Sequence, residues 1–212
     1  VNPAAPDRLP PRALIHRLTS VVERLDWTAL YPLPQPVEVE LGSGDGSFLA
    51  RCAQLHPERN FLGVERLLGR LRKLERKGQR AGLQNLRGLS LEASYFVEYL
   101  LRPESVQAFH VYFPDPWPKR KHRSRRLVNE RFPELARRAL APGGAVYLRT
   151  DNADYFRQMQ EVFSAHPGFE LVETPPELSA VLTDFERDFH AKGIQTLRLA
   201  YRRKAERALA SA

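Results

Sequence analysis

The fourteen residues FPDPWPKRKHRSRR, from Phe113 to Arg126, combine one carboxylate, one indole and a dense run of cations. Pro114, Pro116 and Pro118 fix φ and lack a backbone donor, so neither a helix nor a central strand continues through them. The apolar run Ala108 to Phe113 just before them reads as a buried strand. A rigid loop therefore leaves a strand end, carries Asp115 and Trp117, and leads into Lys119, Arg120, Lys121, His122, Arg123, Arg125 and Arg126. An acid and an aromatic ring beside clustered cations suit a polyanionic substrate held by its phosphates. The competing reading is a solvated charged loop, against which three prolines and a tryptophan weigh.

A second stretch, GSGDG from Gly42 to Gly46, follows a short apolar strand and opens a helix. Glycines let a ligand approach the backbone, and a helix start offers unpaired N–H groups. Glu65 ends the next strand, where a carboxylate can accept from both ribose hydroxyls of an adenosine cofactor. A tight strand–helix turn with no ligand is the plain alternative. A nicotinamide cofactor would set its pyrophosphate on the helix start, but Glu40 and Asp45 flank that position and repel it. The same acids can hold the cationic amine of S-adenosylmethionine, so electrostatics favour the methyl donor. Glu92, after the third strand of this series, can accept from the adenine amino group or simply sit exposed at a helix start.

The elements that position these residues follow from periodicity. Leu14, Leu18, Val21, Val22 and Leu25 recur at helical spacing and predict a first helix ending before Pro32. Strands are expected over 37–41, 61–65, 86–91, 108–113, 145–150, 169–172 and 194–201, with Pro142-Gly143-Gly144 a turn into the fifth. Helices are expected from Gly46 to before Pro57, and over 67–81, 96–101 and 130–140; another starts at Asp151, and LTDFE (182–186) falls in a loop before the last strand. This alternation predicts an α/β domain, a mostly parallel seven-stranded sheet with helices on both faces. Ligands of such sheets bind at the carboxyl ends of the strands. Residues 1–35 read as an N-terminal arm and helix, 36–204 as the catalytic domain, and 205–212 as a tail.

Composition agrees with one domain acting on a polyanion. The chain has 212 residues, 42% of them hydrophobic, a net charge of +8 and a pI near 9.9. Its one cysteine, Cys52, excludes an intrachain disulfide framework and fits a reducing compartment. No apolar run approaches a membrane span and no secretory pattern opens the chain, so a cytoplasmic protein without a membrane partner is expected. No metal is expected, and either a monomer or a homodimer is compatible.

The stretches VELGSGDGSFL, NFLGVE, FPDPWPKRKHRSRRLV, LRTDNADY and LTDFE resemble the bacterial tRNA (guanine-N7-)-methyltransferases, which have a Rossmann-like class I methyltransferase fold. The resemblance implies transfer of a methyl group from S-adenosylmethionine to N7 of guanine 46 in the tRNA variable loop. It implies cofactor contacts at Glu40, Gly42, Gly44, Gly46, Glu65, Glu92 and Asp115. It implies tRNA or guanine contacts at Lys119, Lys121, His122, Arg123, Ser124, Arg125, Arg126, Asp151, Thr183, Asp184, Phe185 and Glu186. Glu92 departs from the family's usual Asp or Asn. N7 bears a lone pair and no proton, so the reaction needs no general base. It needs in-line placement and carboxylates that oppose the charge spreading into the purine. Asp115 is the expected catalytic group, with Asp151 and Glu186 able to converge on the guanine. Trp117 either stacks a base or anchors its loop; His122 contacts phosphate or packs the loop. Alternatives are methylation of an exocyclic amino group, a catalytically silent RNA-binding protein of this fold, and a nicotinamide oxidoreductase.

Overall fold

The computed structural model describes residues 13–205; the proline-rich arm and the 206–212 tail lie outside them. Six strands run parallel in the order β1 (Ile15–His16), β4 (Leu86–Leu89), β3 (Asn60–Val64), β2 (Val37–Leu41), β5 (Val106–Tyr112) and β6 (Leu140–Thr150). Beyond β6 the sheet closes with β8 (Leu197–Arg203) and then β7 (Phe169–Val172). β8 is antiparallel to both of its neighbours. The order reverses between β2 and β5: chain order leads outward from β2 to β3 and β4 on one side, and from β5 to β6 on the other. That reversal is where an open α/β sheet leaves a crevice at its carboxyl edge.

Helices cover both faces. One is covered by α1 (Trp27–Leu30), α4 (Ala93–Tyr95) with the π-helical turn Phe96–Leu100, α5 (Phe132–Ala139) and α6 (Ala153–Ser164). The other is covered by α2 (Ser47–Leu55), α3 (Leu68–Arg80) and α7 (Pro176–Ala180), with α8 (Asp184–Ala191) following α7. All five residues of β2 are buried. Strand alternation sends Val37, Val39 and Leu41 to the first core and both glutamates to the second face. Glu38 is satisfied there: it accepts from Arg59 at 2.7 Å and lies 2.8 Å from His110 Nε2, whose Nδ1 is 3.0 Å from the Tyr112 hydroxyl. Burial would raise the Glu38 carboxyl, but His110 and Arg59 hold it down at about 2.

Three expectations are corrected. The helix expected over 14–25 does not form. Leu14 and Ile15 donate to Glu75 Oε1 at 2.9 and 3.4 Å, and Gly88 donates to the Leu14 carbonyl at 2.9 Å. Sheet-edge pairing thus outcompetes the helical pattern, adds an eighth strand, and leaves Val21 and Val22 exposed. The Pro142-Gly143-Gly144 turn lies inside β6 as an irregularity, because pairing to β5 jumps from Val106↔Leu140 to Ala108↔Ala145. Gly143 takes φ +75° there. The LTDFE segment, expected in a loop, begins α8.

Candidate active site

The carboxyl edge of the parallel strands carries the expected residues in spatial order: Glu92 after β4, Glu65 after β3, the glycine turn after β2, Asp115 after β5 and Asp151 after β6. Gly42 and Ser43 donate to the Val64 carbonyl at 2.8 and 3.1 Å, which pins the turn to the end of β3. Gly42 (φ +83°) and Gly44 (φ +55°) are left-handed, and a Cβ on either would meet nothing within 4 Å. Those two positions border open space. Gly46 (φ +73°) differs: a Cβ there would collide with Leu74 of α3, so the absence of a side chain serves helix packing.

Glu65 Oε1 accepts from Leu67 N at 2.8 Å and Oε2 from Gly44 N at 3.1 Å, so the acid braces the turn. Each oxygen keeps acceptor capacity, which suits a ribose. Glu40 is 3% exposed and its Oε2 has no partner among the described residues; Ser43 Oγ is likewise unpartnered. Burial pushes the Glu40 carboxyl well above the usual range, against the pull of Arg149 and with added repulsion from Asp45, Glu65 and Glu186. Asp45, expected to share the attraction for a cationic amine, is already neutralised. Lys77 bonds its Oδ2, and Ser47 donates to its Oδ1 through N (3.2 Å) and Oγ (2.7 Å). Burial would raise Asp45, yet these bonds hold it below its ordinary value. An orphaned buried carboxyl oxygen beside an open glycine turn and an acid at the next strand end fits the amine and ribose of S-adenosylmethionine. Glu92 is exposed and spends its oxygens capping α4, accepting from Ser94 N (3.0 Å) and Tyr95 N (2.7 Å).

On the other side of the reversal, the β5 loop is held rigid. Phe113 (φ 50°) and Trp117 (φ 41°) are non-glycine residues in the left-handed region, a conformation that persists only when its surroundings enforce it. Phe113 N donates to the Arg149 carbonyl at 2.8 Å, and the Pro116 carbonyl accepts from Arg126 Nε at 2.7 Å. Between those anchors Asp115 is exposed. Trp117 meets His122 edge-on at 5.8 Å and carries the Arg125 guanidinium 5.3 Å from its ring centre, so it anchors its loop.

The basic run divides. Lys119, Lys121, Ser124 and Arg125 are exposed, and Arg123 is half-exposed while bonding Asp154 at 2.6 Å. Arg126 is buried, bonding Pro116 O, Gln158 Oε1 and Asp154 Oδ2, each at 2.7 Å, over the Tyr155 ring. It clamps the loop to α6, and the expected phosphate contact is corrected. Asp151 is exposed at the start of the turn into α6.

The TDFE segment latches rather than lines. Thr183 Oγ1 accepts from Glu186 N at 3.0 Å while Glu186 Oε2 accepts from Thr183 N at 2.9 Å, a reciprocal cap on α8. Glu186 is fully buried and bonds Arg149 at 2.6 Å and Arg198 at 3.0 Å, so the expected guanine contact is corrected to an internal ion pair. Asp184 Oδ2 lies 2.6 Å from Ser47 Oγ and competes with Asp45 for its single proton, and Phe185 lies 6.4 Å from Phe113, ring to ring. Arg149 completes the latch, donating to Val181 O (2.9 Å) and Leu178 O (2.6 Å) with its guanidinium 4.1 Å from the Tyr112 ring centre. Sequence reasoning missed Arg149 and Lys77. The signal for Arg149 was a lone arginine ending an otherwise apolar strand. Among the described residues no cluster of His, Cys, Asp and Glu is arranged to hold a metal ion, and no helix is long and apolar enough to cross a membrane.

Fold and site together define a class I S-adenosylmethionine-dependent methyltransferase. The family model described as "Putative methyltransferase" matches residues 34–199. The chain belongs to the tRNA (guanine-N(7)-)-methyltransferase family. It is 34% identical to the member from Aliivibrio fischeri, covering 87% of this chain and 80% of that one. It is 36% identical to the member from Rubrobacter xylanophilus, covering 75% and 73%. The crystal structure of the 16S rRNA methyltransferase KamB superposes with a TM-score of 0.59 at 20% identity, over 84% of this chain and 93% of that one. An O-methyltransferase of Thermotoga maritima gives 0.55 at 13% identity, over 85% and 64%. These two likenesses concern the fold alone.

Proposed function

We propose that the chain methylates N7 of guanine in tRNA, at position 46 of the variable loop, and does so in the cytoplasm. The observation that carries the reading is the juxtaposition across the reversal: the orphaned Glu40 oxygen beside the open turn after β2, and exposed Asp115 after the adjacent β5. The cofactor supplies an electrophilic methyl on a sulfonium. N7 of guanine carries a lone pair and no proton, so a bound cofactor would need only in-line placement against it, with no general base. Glu40 would hold the cofactor's amine and Glu65 its ribose, while Glu92, already capping α4, would offer its remaining lone pairs to the adenine. Asp115 and Asp151 accept from the guanine edge, and their charge opposes the cation developing on the ring. Lys119, Lys121, His122, Arg123, Ser124 and Arg125 meet the phosphates.

The test is nucleoside analysis of tRNA incubated with the protein and labelled S-adenosylmethionine, with a companion tRNA carrying 7-deazaguanine at position 46. Label in 7-methylguanosine from the first tRNA and none at that base in the second is expected. Methylation of the deaza base on its exocyclic amine would overturn the N7 assignment.

A further inference from the structure

The sequence of α3, LGRLRKLERKGQR, sets six cations against one acid. That acid is occupied elsewhere, since Glu75 accepts from the backbone of β1. Arg70 lies 3.7 Å from Glu65, and Lys77 is bonded to Asp45 and Ser47. Arg72, Lys73, Arg76 and Arg80 remain exposed, with no ion-pair partner among the described residues. Between α2, α3 and α8 runs an open groove of about 570 Å³ lined by Arg51, Lys77, Arg80 and Arg187, together with Asp184 and Ser47. Four cations from three helices converge on it: Lys77 is paired with Asp45 and Arg187 with Asp184, while Arg51 and Arg80 have no ion-pair partner among the described residues.

This surface is separate from the basic run after β5. Arg123 and Arg126 are tied through Asp154 to α6, on one face of the sheet; α2 and α3 cover the other. The two basic surfaces therefore flank the carboxyl edge from opposite sides, with the cofactor turn between them. Ser47 joins groove and turn, because it directly follows GSGDG and its hydroxyl holds Asp184.

We infer that the α2–α3–α8 groove is a second RNA-backbone site, gripping tRNA phosphates remote from the base being methylated. This rests on the proposed tRNA reading. Its physical basis is uncompensated arginines in a concavity, a geometry suited to forked contacts with phosphate oxygens, on a helix whose exposed face is cationic along its length. A folded RNA lying across the carboxyl edge touches both surfaces, and its target guanine falls between them.

The experiment compares wild type with an Arg51→Ala/Arg80→Ala variant, using full-length tRNA and a short hairpin that presents only the target loop. With tRNA, the log–log salt slope of binding is expected to fall in magnitude by roughly 1.4–1.8, since two phosphates are no longer neutralised. KM for tRNA is expected to rise on the order of tenfold, with kcat kept. Methylation of the hairpin and affinity for S-adenosylhomocysteine are expected to match wild type, which also certifies the fold. Wild-type slope and KM in the variant, as when the groove serves another protein or nothing, would overturn the inference. If wild type itself made no 7-methylguanosine, the proposed reaction would fail, while the binding slope would still decide the groove.

Discussion

Glu38 and Glu40 stand two residues apart on one face of one strand, and their surroundings give them opposite fates. Glu38 is paired on both oxygens and stays ionised; Glu40 keeps an orphaned oxygen and is pushed toward its neutral form by burial, with Arg149 pulling the other way and Asp45, Glu65 and Glu186 adding repulsion. A carboxyl raised in the native state binds a proton that the unfolded chain has lost. It thus stabilises the fold at low pH, and that contribution fades as pH rises through the elevated value. A cationic amine reverses the preference, so cofactor binding is expected to release a proton wherever Glu40 is protonated in the free protein. Calorimetric titration of S-adenosylhomocysteine in buffers of different ionisation enthalpy reads this directly, and Glu40→Gln is expected to abolish the buffer dependence. Asp115→Asn is expected to leave folding and tRNA binding intact and to slow the single-turnover rate by about 10²–10³-fold. A fully active variant would remove Asp115 from the catalytic set. The residue types at both sites were legible in the sequence; which acid was already spent was not. Asp45, Arg126 and Glu186 look as available as Glu40 or Asp115 until the tertiary contacts assign them partners.

At the scale of elements, α8 is a clasp. Its capping box is built from Thr183 and Glu186, while Arg149 on β6 ties that same glutamate to α7 through Leu178 and to the α7–α8 connection through Val181. If Thr183 is a cap, Thr183→Ala is expected to cost about 1 kcal/mol in denaturant unfolding, with Thr183→Ser near neutral. A substrate contact predicts the contrary, weakened tRNA affinity at unchanged stability. The β–α alternation from β2 to β6 was legible because each strand is a short, apolar-rich segment with a Gly, Pro or acid close after it. Leu14 to Leu25 deceived because five apolar residues at helical spacing also arise by chance in an extended segment. Pairing with β4 and the Glu75 carboxylate decided the outcome, and neither is local.

For the whole molecule, the basic charge is distributed by purpose. Arg126 serves the fold, whereas Arg123 and Arg125 stay at the surface. Replacing those two by Ala is expected to lower the tRNA salt slope by roughly 0.7–0.9 for each contact, with cofactor affinity unchanged; an unaltered slope would return the loop to mere solvation. The sheet carries a different kind of consequence. β8 lies between β6 and β7, and it is made after both. During synthesis β6 therefore waits with an open edge, and β7 has no strand to join, until residue 203 has been added. At about 5–20 residues per second that interval lasts roughly 3–10 s. The nascent chain passes those seconds with its parallel half competent to fold and its antiparallel half unable to begin. A ribosome stalled before β8 would accordingly hold a chain whose cofactor turn is built and whose sheet is still open to a stranger's strand.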